Sequence, residues 1–416
     1  MAELLAAAVV VVGAGPAGLA AACCLGEAGE DVLVVDEAPR PGGQIWRHRH
    51  AGDLSIAAKR WLDRLNETRV RSLTGTSVID VGTDGTMLAE STDATFQIRG
   101  RTVILATGAR ELFLPFPGWT LPGVVGVGGG QALVKAGVDV RGLSVVLAGS
   151  GPLLLPVAAL LEGRGARIPL VAEQASLRDV LLFGARLWRN PSKIREALGY
   201  RWQTLTSRYR LGVWAVAAHG DSQVREVELT DGWRTWTHTC DLLCCSYGLV
   251  PNTELARLLG CRVDGGRVGV DRFQSTDQEN VYCVGESTGV GGVEKSIVEG
   301  QIAAAHIAGD EGQLKALGRH RERLERFSRD LDRTFRPRPE LAQRPLPETI
   351  VCRCEDVKWV DLDTRWSIRQ AKLYTRLGMG SCQGRVCGAA VRQLCGWDVD
   401  SVRPPLEPCR LSSLIR

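Results

Sequence analysis

Apolar and polar positions along the chain repeat one grammar twice. Ala8–Val12 is an apolar run, Gly13–Gly18 a glycine-rich turn, and Leu19–Ala28 carries helical spacing; Gly29 closes it and Val32–Val35 is apolar again. Leu143–Ala148, Gly149–Pro152, Leu153–Gly163 and Ile168–Ala172 repeat the order. Short apolar runs bounded by glycine read as buried parallel strands, and the periodic stretches as crossover helices. Two such units predict an α/β chain with two dinucleotide-binding domains.

Further elements fill the pattern. Thr102–Ala106 predicts a strand ending at Thr107-Gly108, and Val281–Val284 a strand ending at Gly285-Glu286. Glu294–Ala308 has helical spacing, whereas Leu121–Val127 reads as a loop. Arg319–Arg338 is a charged helix or linker, and Pro337, Pro339, Pro345 and Pro347 mark a boundary after it. Ser176–Arg210 is rich in Arg, Leu and Trp and matches no chemical motif. The expected division is 1–115 and 241–310 for a split first domain, 116–240 for a second, 311–345 for the Arg-rich helix or linker, and 346–416 for a terminal domain.

Composition narrows the function. At 416 residues, with 44% hydrophobic and 24% charged residues, the chain suits a multi-domain globular protein. A net charge of +4 argues against nucleic acid as a partner. No apolar run is long enough for a transmembrane helix. Ala6–Val12 lacks the positive leader of a signal peptide and runs into the glycine turn. The expected location is cytoplasmic, with any membrane association made through partners. Nine of the 13 cysteines (Cys23, Cys24, Cys240, Cys244, Cys245, Cys261, Cys283, Cys395 and Cys409) read as small hydrophobes.

Gly13-Ala14-Gly15-Pro16-Ala17-Gly18 matches G-x-G-x-x-G between a strand and a helix. Gly13 permits the tight turn, Gly15 a close approach of N–H groups to a pyrophosphate, and Gly18 close helix–strand packing. Asp36, with Glu37 beside it, ends the second strand where a carboxylate can bind ribose hydroxyls. Gly43 and Gln44, in Pro41-Gly42-Gly43-Gln44, suit backbone approach to a flat ring. Thr107, Gly108 and Arg110, then Gly285 and Glu286, complete the candidate cofactor site.

The second pair of motifs is Cys352-Arg353-Cys354 and, after 27 residues, Cys382-Gln383-Gly384-Arg385-Val386-Cys387. Four thiolates suit a 2Fe-2S cluster or a zinc ion. Gly378, Gly380, Gly384 and Gly388 leave backbone N–H groups free to face sulfur. The six histidines show no metal spacing, although His48 and His50 follow Gly43 closely. No acid–base pair or nucleophile stands out, so no catalytic residue is assigned.

The first-domain set resembles the two-dinucleotide-domain flavoproteins of the thioredoxin and glutathione reductase type over residues 8–310. That resemblance implies FAD in the split first domain. It departs from them in two ways. No cysteine pair of disulfide-reductase spacing lies near Gly43 or in the middle domain, so disulfide reduction is not expected. The middle turn, Gly149-Ser150-Gly151-Pro152-Leu153-Leu154, carries Leu154 in place of the third glycine, so a nucleotide there stays open. Glu173 would favour an unphosphorylated ribose.

The phrases Gly378-Met379-Gly380-Ser381-Cys382-Gln383-Gly384-Arg385, Pro115-Phe116-Pro117-Gly118-Trp119-Thr120-Leu121-Pro122-Gly123-Val124, Gln131-Ala132-Leu133 and Tyr247-Gly248-Leu249-Val250-Pro251-Asn252 are similar to those of the alpha-type subunits of opine oxidases, D-hydroxyproline dehydrogenases, dye-linked proline dehydrogenases and hydrogen cyanide synthase. Sarcosine oxidase alpha is a more distant, larger relative. The terminal segment resembles the bacterioferritin-associated-ferredoxin-like 2Fe-2S domain. The resemblance implies an electron-transfer subunit holding FAD and a cluster on Cys352, Cys354, Cys382 and Cys387. It implies a beta partner similar to D-amino-acid oxidases, in some members a small ferredoxin-like gamma subunit, and in some an FMN at a subunit interface. The substrate class would be an amino or imino acid or secondary amine, with a quinone or dye-like acceptor. The competing readings are a stand-alone NAD(P)H-dependent flavin/iron–sulfur reductase and a non-catalytic zinc-holding subunit.

Overall fold

The computed structural model describes residues 2–48, 54–204, 206–398 and 401–414, and the backbone alone at 189. His50 lies outside the described residues. Contacts divide the chain into two units: the described parts of 1–110, 250–329 and 400–416, and those of 111–249 and 330–399.

In the first unit the strand Glu3–Val12 is central, longer than the apolar run alone predicts. It pairs in parallel with Val32–Asp36 on one side and Thr95–Leu105 on the other. Arg71–Thr74 extends the sheet beyond Val32–Asp36. Val281–Cys283 joins Thr95–Leu105 in parallel, which returns the later sequence to this sheet. Met87–Ser91 and Thr76–Val81 add an antiparallel edge. The helices Pro16–Glu27 and Gly292–Ile307 pack together, because a Cβ at Gly300 would lie 2.2 Å from the Ala17 carbonyl oxygen. Buried Val9, Val11, Leu19, Leu25 and Ile104 form part of the core between helices and sheet.

The second unit holds a five-stranded parallel sheet, ordered Arg208–Leu211, Arg167–Glu173, Ser144–Gly149, Leu242–Ser246 and Val124–Val125. Here the reading of 121–127 as a loop is corrected. Val124 and Val125 pair with Leu243 and Cys244, and a helix, Val127–Lys135, starts directly after. Glu111 supplies the missing cap by accepting from the N–H groups of Gly128 and Gly129. Trp214–His219, Glu226–Thr230 and Thr235–Thr239 form a separate antiparallel sheet.

The cysteine-rich C-terminal region is a small helical lobe of this unit. It has the strands Ile350–Cys352 and Val357–Lys358 and the helices Ile368–Thr375 and Cys387–Cys395 around Val351, Val357, Leu377, Val391 and Trp397. The Arg-rich stretch forms a helix, Glu311–Thr334. The tail differs from the expected 346–416 domain, because its described residues pack on the first unit. There Leu406 N–H donates to the Ile79 carbonyl, and Arg410 pairs with Glu90 at 2.8 Å.

Candidate cofactor sites

The Gly13–Gly18 turn is shaped by steric necessity. A Cβ at Gly13, where φ is +107°, would lie 2.3 Å from the Ala106 carbonyl oxygen. One at Gly18 would lie 1.8 Å from the Gly13 oxygen. Pro16 is the first residue of the helix, so its missing N–H costs no hydrogen bond. First-turn N–H groups, including those of Ala17 and Gly18, have no acceptor within the helix. The 41–44 loop folds onto the turn: Gly42 N–H donates to the Ala14 carbonyl, and a Cβ at Gly43 would lie 2.9 Å from the Gly15 Cα. Among the described residues, its chain neighbours aside, only Gly43 Cα comes within 4 Å of a Cβ built at Gly15, which leaves the backbone there approachable. Gln44 is exposed.

Asp36 accepts hydrogen bonds from the N–H groups of Ala14 and Ala38. Its burial pushes its carboxyl up, while those two N–H groups and Arg47 pull it down. Glu37 points into solvent. Thr107 donates to the Asn252 carbonyl at 2.9 Å and lies 3.0 Å from the Ser287 hydroxyl, and Ser287 donates to the Gly108 carbonyl. Arg110 is committed to Asn252 Oδ1 and Glu254, both at 2.7 Å. Glu286 is pushed up by burial and pulled down by Lys295.

Sequence reading missed the pair beneath Gly285. Lys295 and Glu299 are buried and 2.6 Å apart. Glu299 also accepts from Gly285 N–H and the Thr288 hydroxyl, while Lys295 donates to Thr288 and to the Gly289 carbonyl. The signal was available: Lys295 and Glu299 stand at i,i+4 on the helix Gly292–Ile307, on the face it shares with Val298, Ile302 and Ala303. The turn, Asp36, the 41–44 loop and the 285–289 turn fit a dinucleotide such as FAD. They offer open N–H groups, glycine-only approaches and a ribose-type carboxylate.

The four terminal-lobe thiols lie on two neighbouring segments. Cys352 is hydrogen bonded to Cys387 and to backbone N–H groups at Gly378, Glu355 and Cys354, which together draw its thiol down to about 6. Cys387, sharing that bond and buried, is driven up. A Cβ at Gly380 would lie 2.4 Å from the Cys354 Cβ, so only glycine lets the loops close. Cys354 is exposed and Cys382 half-buried. Among the described residues no three His, Cys, Asp or Glu side chains close to single-ion spacing. A 2Fe-2S cluster shares four thiolates between two irons, and N–H groups aimed at sulfur are what such thiolates take. The donor set fits the cluster in chemistry. By contrast Cys23, Cys240, Cys244, Cys245, Cys261 and Cys283 are buried, and burial pushes their thiols up.

Two residues of the Pro115–Val124 and Tyr247–Asn252 stretches have clear physical roles. Trp119 Nε1 donates to the Ile350 carbonyl at 2.6 Å and so anchors the strand carrying Cys352. The Tyr247 hydroxyl accepts from Arg344, which also donates to the carbonyls of Ala215 and Leu114.

Residues 7–312 match the family model described as pyridine nucleotide-disulphide oxidoreductase. The chain belongs to this family. As a member it is a flavoprotein oxidoreductase of dehydrogenase type, and FAD is the flavin this domain implies. It is 31% identical to an opine oxidase subunit of Rhizobium meliloti (strain 1021) over 97% of both chains. It is 30% identical to hydrogen cyanide synthase subunit HcnB of Pseudomonas protegens over 97% of this chain and 96% of that one. These relatives bear out the alpha-type resemblance. Among solved structures, L-proline dehydrogenase from P. horikoshii superposes over 100% of this chain and 81% of its own, with TM-score 0.71 at 19% identity. Thioredoxin reductase from T. acidophilum superposes over 73% of this family member and 98% of its own chain, with TM-score 0.57 at 20% identity. Both likenesses bear out the two-dinucleotide-domain fold. Among the described residues no helix is long and apolar enough to cross a membrane.

Proposed function

We propose that this chain is the electron-transfer subunit of a hetero-oligomeric flavin dehydrogenase acting on an amino or imino acid or a secondary amine. The first glycine turn would hold the pyrophosphate of FAD, Asp36 its ribose and Glu286 its ribityl side. Cys352, Cys354, Cys382 and Cys387 would hold a 2Fe-2S cluster. Bound flavin supplies two-electron chemistry and a cluster one-electron chemistry. Oxidation of the CH–NH bond is assigned to a partner similar to D-amino-acid oxidases, with a ferredoxin-like third chain or interface FMN as further parts. Electrons would leave to a quinone or dye-like acceptor.

One observation carries this reading: a flavin-type cradle and a lobe with four thiols occur in one chain, and relatives named as oxidase and synthase subunits match it nearly end to end. The test is anaerobic co-purification with a D-amino-acid-oxidase-like partner. Iron, acid-labile sulfide and the visible spectrum are then measured. Dye reduction follows with D-hydroxyproline, proline, opines, sarcosine and glycine. Iron with sulfide, and dye reduction only with the partner present, is expected. Cys352→Ser should bring iron to background. Zinc alone, or a lone chain rapidly bleached by NADH, sinks the proposal.

A further inference from the structure

The second glycine turn is closed by the chain itself. We propose that residues 335–338 are a built-in occupant of this turn, excluding pyridine dinucleotides from the middle domain and so restricting which donors reduce the flavin. The consequence for electron entry rests on the flavin reading above; the seal itself does not.

A bound dinucleotide needs N–H groups at the turn that it can reach. Gly151 N–H donates to Glu173 at 2.7 Å, as Ala14 N–H donates to Asp36 in the first turn, but here Glu173, also bonded to Ala175 N–H, is fully buried and the turn is covered by the chain. The Ser150 hydroxyl donates to the Phe335 carbonyl at 2.8 Å. Gln174 Nε2 donates to Ser150 Oγ at 2.8 Å and to the Arg336 carbonyl at 3.1 Å, while its Oε1 accepts from Arg338 N–H. A Cβ added to Gly151 would be 3.9 Å from Phe335 Cβ, so the Phe335 side chain lies where a ligand would approach.

The segment is held at both sides. The Phe335 ring meets Phe183 edge-on at 5.4 Å, and the Arg338 guanidinium lies 4.0 Å from the centre of the Trp214 ring. Leu154 agrees with this arrangement. At the matching Gly18 any Cβ would strike the turn's own oxygen, so a leucine cannot occupy that geometry. The second helix accordingly starts at Leu154, after Pro152, whereas the first starts at Pro16 itself.

The test uses the full chain saturated with FAD. NADH and NADPH are titrated anaerobically, following nucleotide fluorescence and flavin absorbance. Wild type is expected to show no saturable binding up to about 1 mM and no bleaching. One equivalent bound tightly per chain overturns the seal. The double substitution Phe335→Gly, Arg336→Gly is expected to raise NADH affinity at least about tenfold, with the flavin spectrum and circular dichroism unchanged. A folded double variant with no gain overturns the segment as the cause. Where that variant does not fold, hydrogen exchange of wild type decides. Amides at Gly151 and Arg338 should stay protected and indifferent to NADH, and an NADH-dependent change there overturns the proposal. Failure to retain FAD sinks the flavin reading but leaves these exchange results to judge the seal.

Discussion

Gly13–Gly18 and Gly149–Leu154 occupy the same place in the same kind of strand–turn–helix unit, yet one is open and the other covered. Gly15 is half-exposed and, among the described residues, Gly43 Cα is the nearest non-neighbouring atom to a Cβ built there, whereas Gly151 is buried beneath Phe335. Asp36 retains 8% exposure and Glu173 none. Each carboxylate accepts one N–H from its turn and one from the residue two positions on. The strand–turn–carboxylate frame is therefore a structural device in its own right. On the function proposed above, what makes the first frame a ligand site is that the chain leaves its turn uncovered.

The largest test of this contrast uses one buried cation from each unit. Lys295 with Glu299 shapes the 285–289 turn of the first unit, and Arg344 pins the stretch just after the seal in the second. Glu299→Ala strands a buried ammonium and frees Gly285 N–H, at an expected cost of about 3–5 kcal/mol and with loss of flavin. Arg344→Ala removes bonds to the carbonyls of Ala215 and Leu114 and to the Tyr247 hydroxyl, at an expected cost of about 2–4 kcal/mol. Flavin retention should survive it, because every one of these partners belongs to the second unit. Urea unfolding followed by circular dichroism and flavin fluorescence checks both. Equal flavin loss in the two variants would break the comparison.

A finer test exchanges one methyl group. Gly15 has φ −73° and room for a Cβ, so Gly15→Ala should leave stability nearly unchanged. The methyl group would stand where a pyrophosphate approaches, and flavin affinity should fall at least about tenfold, or 1.4 kcal/mol. Gly151 has φ +97°, so Gly151→Ala should instead cost about 1–2 kcal/mol of stability and leave flavin affinity alone. Flavin titration and melting of both variants separate a binding glycine from a conformational one.

Much of this was legible in the sequence, for reasons that differ by residue. The first turn and Asp36 show because glycine and carboxylate positions are local and period-bound. The thiol pairs show because cysteine spacing is itself the signal. The seal does not show, because Phe335 meets Ser150 across a separation of 185 residues and bonds through its carbonyl, an atom every residue carries. The return of the 401–414 tail to the first unit was hidden for a similar reason: it is held through backbone groups and an Arg410–Glu90 pair that no local pattern announces. The helix from Val127 was missed because its glycine-rich first turn is satisfied by a distant side chain, Glu111.

A last test probes the sealed turn by pH. Burial pushes the Glu173 carboxyl up to about 7 from an ordinary 4.5, against the N–H groups of Ala175 and Gly151 that favour its anion. The folded chain therefore takes up this proton at higher pH than the unfolded chain does. The associated stability is fully present below about 4.5 and is lost as pH rises through about 7. Between pH 5 and 8 the second unit should lose roughly 1–3 kcal/mol from this group, and Glu173→Gln should flatten that slope. Urea midpoints at several pH values read it directly. A flat wild-type profile would argue that the Glu173 carboxylate is not shut away from water as described.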